Sequence, residues 1–330
     1  GVPASVRPFV TTSLLGWRGE LRAAVEPLLP ASYADDSLGA LVRARFGDEV
    51  HDRLVDALVG SIYATDTDRS SLAAVPQLAQ LAAGHRSLLI GARSARQRAA
   101  SGDAGPIFNA PVSGMGALVD AAGRHLVSNA VKVELGRSAT ALARDGDRWR
   151  VDDEAFYAVV IASPAPSAAA LLAPLAPEAA SGLAALEQAD VIMVRLVVPG
   201  RAFPSAMLDH SGYLVPKSRQ RYVTAVSFGS QKWAHWRPAD ASQILRVSLG
   251  RDGLATSHLD DDAVIEAVVR EVGSHLAIDL QPDQISITRW HGAFPQYRPH
   301  HAAHLDAIET HLPSRVVLAG ASYRVIGIPA

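Results

Sequence analysis

Three histidines, His300, His301 and His304, are the first residues whose spacing could do chemistry, because three- and four-residue steps can place two imidazoles on one helical face, as zinc sites do. No Glu sits between them, and a solvated helix start is the competing reading. Lys217, Arg219 and Arg221 could meet carboxylates, against the plainer reading of a charged turn facing water. Gly114-Met115-Gly116 is the nearest approach to a phosphate-binding glycine loop; lacking a third glycine and a preceding strand, it reads as a helix start following Ser113. The absence of cysteine excludes disulfides, thiolate metal sites and cysteine nucleophiles, and no convincing set of nucleophile, base and orienting group is found.

The elements that must position such residues belong to a chain of 330 residues, 48% hydrophobic and 19% charged, enough for a large core divided into two or three modules. A net charge of -2 provides no basic footprint for nucleic acid, so small molecules or other proteins are the expected partners. Gly1 to Val10 does not read as a signal peptide. The longest apolar stretches, Val159 to Ala176 and Val191 to Val198, are interrupted by prolines or by Arg195 and fall short of the ~20 residues of a membrane span. Cytoplasmic location, with at most contact to a membrane surface, is the expectation.

Along the chain, residues 1 to 90 read as mostly helical: after Asp35-Asp36, a helix cap by composition, Leu38, Leu41, Val42, Phe46, Val50, Leu54 and Leu58 recur at helical steps. Gly91 to Gly105 shows little periodicity and reads as a surface connection. A helix from Gly116 to Leu126 and strands at Val131 to Leu135, Ala139 to Ala143, Trp149 to Val151 and Ala158 to Ala162 follow, with a hairpin turn at Asp145-Gly146. The run from Ser163 to Leu186 reads as helical. Strands at Val191 to Val198, Gly212 to Val215, Tyr222 to Phe228, Ile244 to Leu249 and Ile285 to Thr288, with a helix Asp261 to Leu276, imply an α/β (α+β mixed) fold with a mixed sheet and helices on one face. A helix His301 to His311 and a buried strand Val316 to Ala319 close the pattern.

Ordered segments along nearly all of the chain carry a family resemblance. They include Trp17-Arg18-Gly19-Glu20-Leu21-Arg22, Arg45-Phe46-Gly47-Asp48-Glu49-Val50, Ile62-Tyr63-Ala64-Thr65-Asp66 and Gly114-Met115-Gly116-Ala117-Leu118-Val119. They continue with Gly212-Tyr213-Leu214-Val215-Pro216, Phe228-Gly229-Ser230-Gln231-Lys232-Trp233, Arg289-Trp290-His291-Gly292 and Gly327-Ile328-Pro329-Ala330. On these segments the chain resembles the bacterial protoporphyrinogen/coproporphyrinogen III oxidases, flavoproteins akin to the monoamine oxidases. The resemblance implies a helical membrane-associated domain (1–90), parts of an FAD domain (106–165 and 313–330) and a mixed-sheet substrate domain (166–312). It also implies that the dinucleotide-binding fingerprint precedes Gly1 and that a C-terminal helix follows Ala330, so weak FAD retention is expected of the chain by itself.

By the same resemblance, Ala139 meets the adenine, Ala162 lies beside the dinucleotide, Trp290 lies near the flavin, and Gly320, Gly327 and Ile328 form a turn under the isoalloxazine. Ser61, Leu214, Ser227 and Ser248 correspond to substrate-lining positions, with Ser61 standing where the family usually has glycine. The implied activity is FAD-dependent oxidation of coproporphyrinogen III or protoporphyrinogen IX to the porphyrin with oxygen as acceptor. A non-catalytic porphyrin-binding or interaction module, and another flavoprotein of amine-oxidase type, are the alternatives.

Overall fold

The computed structural model describes residues 14–30, 37–100 and 109–324. Its first part is helical: α1 (Trp17–Ala24), α2 (Leu38–Phe46), α3 (Asp56–Tyr63), α4 (Pro76–Gly84) and α5 (Leu88–Ala100). The cap of α2 is Ser37, whose side chain accepts from the Ala40 N–H at 3.0 Å; Asp35 and Asp36 lie outside the described residues. Gly47, at φ +88°, ends α2 as its position suggests. Leu38, Leu41, Val59, Leu72 and Leu88 form the buried cluster that holds these helices together.

The expected connection at Gly91 to Gly105 is corrected through residue 100, where α5 continues; 101–105 lie outside the described residues. Ala, Arg and Gln are good helix formers even where no apolar stripe announces them.

Next come α6 (Gly116–Ser128), strands β1 (Leu142–Asp145), β2 (Arg148–Val151), β3 (Glu154–Phe156) and β4 (Val159–Ile161), and helices α7 (Ala165–Leu172) and α8 (Pro177–Ala184). The β1–β2 hairpin closes where Asp145 pairs with Arg148 around Gly146 at φ +61°. Residues 131–135 are not a strand. Val131, Val133 and Leu135 are exposed with no ladder partner, and the segment is held instead by ion pairs of Lys132 and Glu134 with Glu154 and Arg137.

The remaining elements are β5 (Gln188–Val198), β6 (Gly212–Leu214), β7 (Val223–Phe228), β8 (Gln243–Leu249), α9 (Asp261–Leu276), β9 (Gln284–Pro295), α10 (His301–Thr310) and β10 (Val316–Leu318). β10 pairs with β4 in parallel. Five strands form one sheet in the order β6-β7-β8-β5-β9. Its described pairings are all antiparallel, where the sequence reading expects a mixed sheet; the parallel pairing sits in the separate β4–β10 pair.

Strict alternation decides which face of this sheet is inside. Ile192, Val194, Leu196 and Val198 of β5, with Leu245, Val247 and Leu249 of β8, bury against Val264, Val268, Val272 and Leu276, the i, i+4 stripe of α9. Asp260 caps that helix by accepting from the Ala263 N–H at 2.9 Å. The intervening residues of each strand are thereby turned to the opposite face.

Candidate active site

Directly opposed residues of antiparallel strands share a face, so the register gives the site in rows. One row crosses all five strands as Leu214, Ala225, Ser248, Met193 and Thr288. Two residues along, a second row runs Gly212, Ser227, Arg246, Arg195 and Ser286. On the other side of the first row, Val191 is paired with Trp290. Three of the four expected substrate positions, Leu214, Ser227 and Ser248, therefore share one face with Trp290. Trp290 is 49% exposed and Leu214 39% exposed, so neither is a buried core residue.

Ser61 joins this surface from α3. Its hydroxyl donates to the Thr224 carbonyl at 3.1 Å, and the Thr224 hydroxyl donates to the Ser248 carbonyl at 3.1 Å. Helix α3 is pinned at its start by Asp56, which accepts from Nη1 and Nη2 of Arg251, each at 2.8 Å, and from the Thr67 hydroxyl at 2.6 Å. Burial alone would raise the Asp56 pKa, but the hydrogen bonds and charge of Arg251, aided by Thr67, hold it below the ordinary carboxylate value. Gly60 permits this approach: a Cβ there would lie 2.5 Å from Arg251 Nη1.

A second group forms around β4. Ala139 and Ala162 line one hollow of about 380 Å³, together with Phe156, Val160 and Ser163. The Ser163 hydroxyl is buried without a hydrogen-bond partner among the described residues. Gly320, at φ +114°, belongs here too, since a Cβ on it would stand 3.4 Å from the Ala162 carbonyl oxygen. Trp290 lies on the five-stranded sheet and is not among the residues lining this hollow. Gly327 and Ile328 lie outside the described residues.

The two groups are linked through the turn after Gly320. Tyr297, just beyond β9, donates to the Ala321 carbonyl at 2.8 Å, and Tyr323 donates to the Ser163 carbonyl at 2.8 Å. His301 stacks on Tyr297 with ring centroids 3.8 Å apart and bonds the Tyr323 carbonyl at 2.7 Å. Burial, partly offset by that carbonyl, pushes the His301 imidazole below its ordinary pKa. His304 bonds the Gly182 carbonyl at 3.1 Å, and no metal-binding group is found among the described residues. His301 and His304 thus bond backbone carbonyls of neighbouring segments.

Lys217 is likewise engaged, donating to both Asp66 oxygens at 2.8 Å, while Arg219 and Arg221 lie exposed on a turn. The basic residues on the second row are Arg195 and Arg246, neither of which the sequence reading singles out as a site. Their signal is there in retrospect: each is a charge flanked by apolar residues, Val194 and Leu196 in β5 and Leu245 and Val247 in β8.

No protein-family model matches the chain. Coproporphyrinogen III oxidase of Bacillus subtilis (strain 168) is 30% identical to it over 348 residues, covering 100% of the chain and 72% of that protein. Coproporphyrinogen III oxidase of Propionibacterium freudenreichii subsp. freudenreichii is 30% identical over 367 residues, covering 99% and 68%. Among solved structures, one from Exiguobacterium sp. 255-15 assigned as a protoporphyrinogen oxidase superposes with TM-score 0.84 at 24% identity, covering 99% of this chain and 72% of that one. Reduced UDP-galactopyranose mutase shares the fold at TM-score 0.65 and 12% identity, covering 92% and 66%. The chain spans about seven tenths of its Bacillus relative, and at that identity and coverage it belongs to the coproporphyrinogen III oxidase family.

Proposed function

We propose that this chain oxidises coproporphyrinogen III to coproporphyrin III in heme biosynthesis, with FAD as redox group and oxygen as final acceptor, and with protoporphyrinogen IX as the competing substrate. The observation that carries the reading is the open sheet face on which Leu214, Ser227, Ser248 and Trp290 stand together. A flexible, largely apolar tetrapyrrole with carboxylate arms needs such a surface: broad, mostly small side chains, and a few hydrogen-bonding groups at its margin.

The residues present fit part of a flavin dinucleotide. The hollow at Ala139 and Ala162 has small side chains and an unsatisfied Ser163 hydroxyl, and Gly320 lets the backbone come close. Ala139, Ala162 and Gly320 would hold part of that group, and Trp290 would lie near its ring system. When bound, FAD supplies acceptance of a hydride equivalent from a porphyrinogen carbon. Three such two-electron steps release six hydrogens, matched by three O2 reduced to three H2O2. The side chains need no acid–base pair for this; Leu214 and Met193 present apolar surface to the macrocycle, and Ser227 and Ser248 orient it.

We assign residues 1–90 to a helical part that meets the membrane surface, 106–165 and 313–330 to the FAD domain, and 166–312 to the substrate domain. Trp17, Leu21 and Leu28 are strongly exposed on and just after α1, which supports peripheral contact. No helix among the described residues is long and apolar enough to cross a membrane. Flavin-loaded protein is expected to produce porphyrin fluorescence from coproporphyrinogen III with three peroxides per porphyrin. Absence of turnover with both porphyrinogens refutes the assignment.

A further inference from the structure

Arg195 and Arg246 oppose each other directly across β5 and β8, both are exposed, and neither has an ion-pair or hydrogen-bond partner among the described residues. Like charges facing each other across a ladder destabilise a sheet, so this arrangement is a cost to the fold as it stands. They line a hollow of about 470 Å³ together with His235, Trp236, Arg237 and Ile244.

The hollow is built. Gly229 leaves room for the Trp236 ring, since a Cβ there would lie 2.5 Å from Trp236 Cε3. Ser230, 1% exposed, donates to the Trp236 carbonyl at 3.3 Å and accepts from the Ile244 N–H at 2.8 Å, fixing the loop to β8. Arg237 donates through Nε to the Ser230 carbonyl at 2.9 Å, which leaves its terminal nitrogens for another acceptor.

Resting on the porphyrinogen reading, we propose that Arg195 and Arg246, with Arg237 at the rim, receive carboxylate arms of the tetrapyrrole and set its orientation. The placement suits the dimensions. Arg195 follows Val191, the cross-strand partner of Trp290, by four residues on the same face, or ~13 Å at about 3.3 Å per residue. That span matches a macrocycle lying over the Ser248–Met193 row with one edge near Trp290 and its opposite arms at the arginines. Guanidinium groups bind carboxylates through paired N–H donors, and a bound dianionic edge relieves the Arg195–Arg246 repulsion. Arg195 and Arg246 are thus positioning residues for a macrocycle edge that carries two carboxylates, and they set which way round the tetrapyrrole lies on the sheet.

The test titrates the full chain with coproporphyrin III and with its tetramethyl ester, following porphyrin absorbance, for wild type, Arg195→Met, Arg246→Met and the surface control Arg270→Met. Each sheet variant is expected to bind the tetra-acid roughly tenfold more weakly and the ester unchanged, while Arg270→Met matches wild type. Melting temperature is the second readout: loss of either arginine should leave it equal or raise it, whereas a structural role would lower it. Unchanged tetra-acid affinity in both sheet variants, or a lowered melting temperature, overturns the anchor while leaving the porphyrinogen reading intact. Wild-type protein that binds neither porphyrin overturns both.

Discussion

Replacing Asp56 with asparagine should loosen the junction between α3 and the substrate sheet. Asp56 is fully buried and Arg251 is 3% exposed, so the substitution leaves a guanidinium inside the protein with no counter-charge. Breaking a buried pair from one side costs ~3–5 kcal/mol. The asparagine carbonyl can still accept one of the two 2.8 Å bonds, which places Asp56→Asn near the lower end, about 3 kcal/mol. For 330 residues at ~2.1 cal/mol/K each, the unfolding entropy is about 0.7 kcal/mol/K, so the melting temperature should fall by roughly 4 °C. Calorimetry measures that shift, and hydrogen exchange should show protection lost first along α3. Because α3 carries Ser61, KM for the porphyrinogen should rise more than kcat falls. The paired change Asp56→Leu with Arg251→Met should recover at least half of the loss, since a matched ion pair exchanged for apolar groups is close to neutral. A drop below about 1 kcal/mol for Asp56→Asn, or a double variant no better than the single, refutes the reasoning.

Three further outcomes follow from the same structure. The folded His301 imidazole has a pKa below its ordinary 6.5, so its contribution to stability is complete above that value and is lost as pH falls toward the folded pKa; denaturation of His301→Phe between pH 7 and 5 should show a smaller acid loss than wild type. Trp290→Ala should lower kcat at least tenfold with the melting temperature unchanged within ~2 °C, because half-exposed side chains contribute little to folding; a large stability loss would return Trp290 to the core. Trp17→Ser combined with Leu21→Ser should reduce sedimentation with vesicles of anionic lipid several-fold, and equal sedimentation of both proteins would remove α1 from the membrane-facing surface.

Periodicity made most of the architecture legible. The sequence reading places α9 at Asp261 to Leu276, as observed, and alternation locates β5, β7 and β8 to within a few residues. Where local signals failed, the deciding partner was remote. Residues 91–100 are helical without an apolar stripe, Val131 to Leu135 has strand composition without a neighbouring ladder, and β9 runs to Pro295, seven residues past its expected end, because β5 pairs with it along that length. The site divides in the same way. Leu214, Ser227 and Ser248 could be named by resemblance, but that they share a face with Arg195 and Arg246 follows only from the register. Arg195 was visible merely as an interruption of an apolar run.

The antiparallel sheet separates two tasks that many proteins must solve with the same side chains. Inward positions such as Val194, Leu196 and Val247 answer only to α9, while their immediate neighbours in the chain answer only to whatever lies on the other surface. Mutation can therefore rewrite ligand preference one alternate residue at a time, without disturbing the scaffold beneath, and divergent members of such a lineage should differ most at the outward half of each strand.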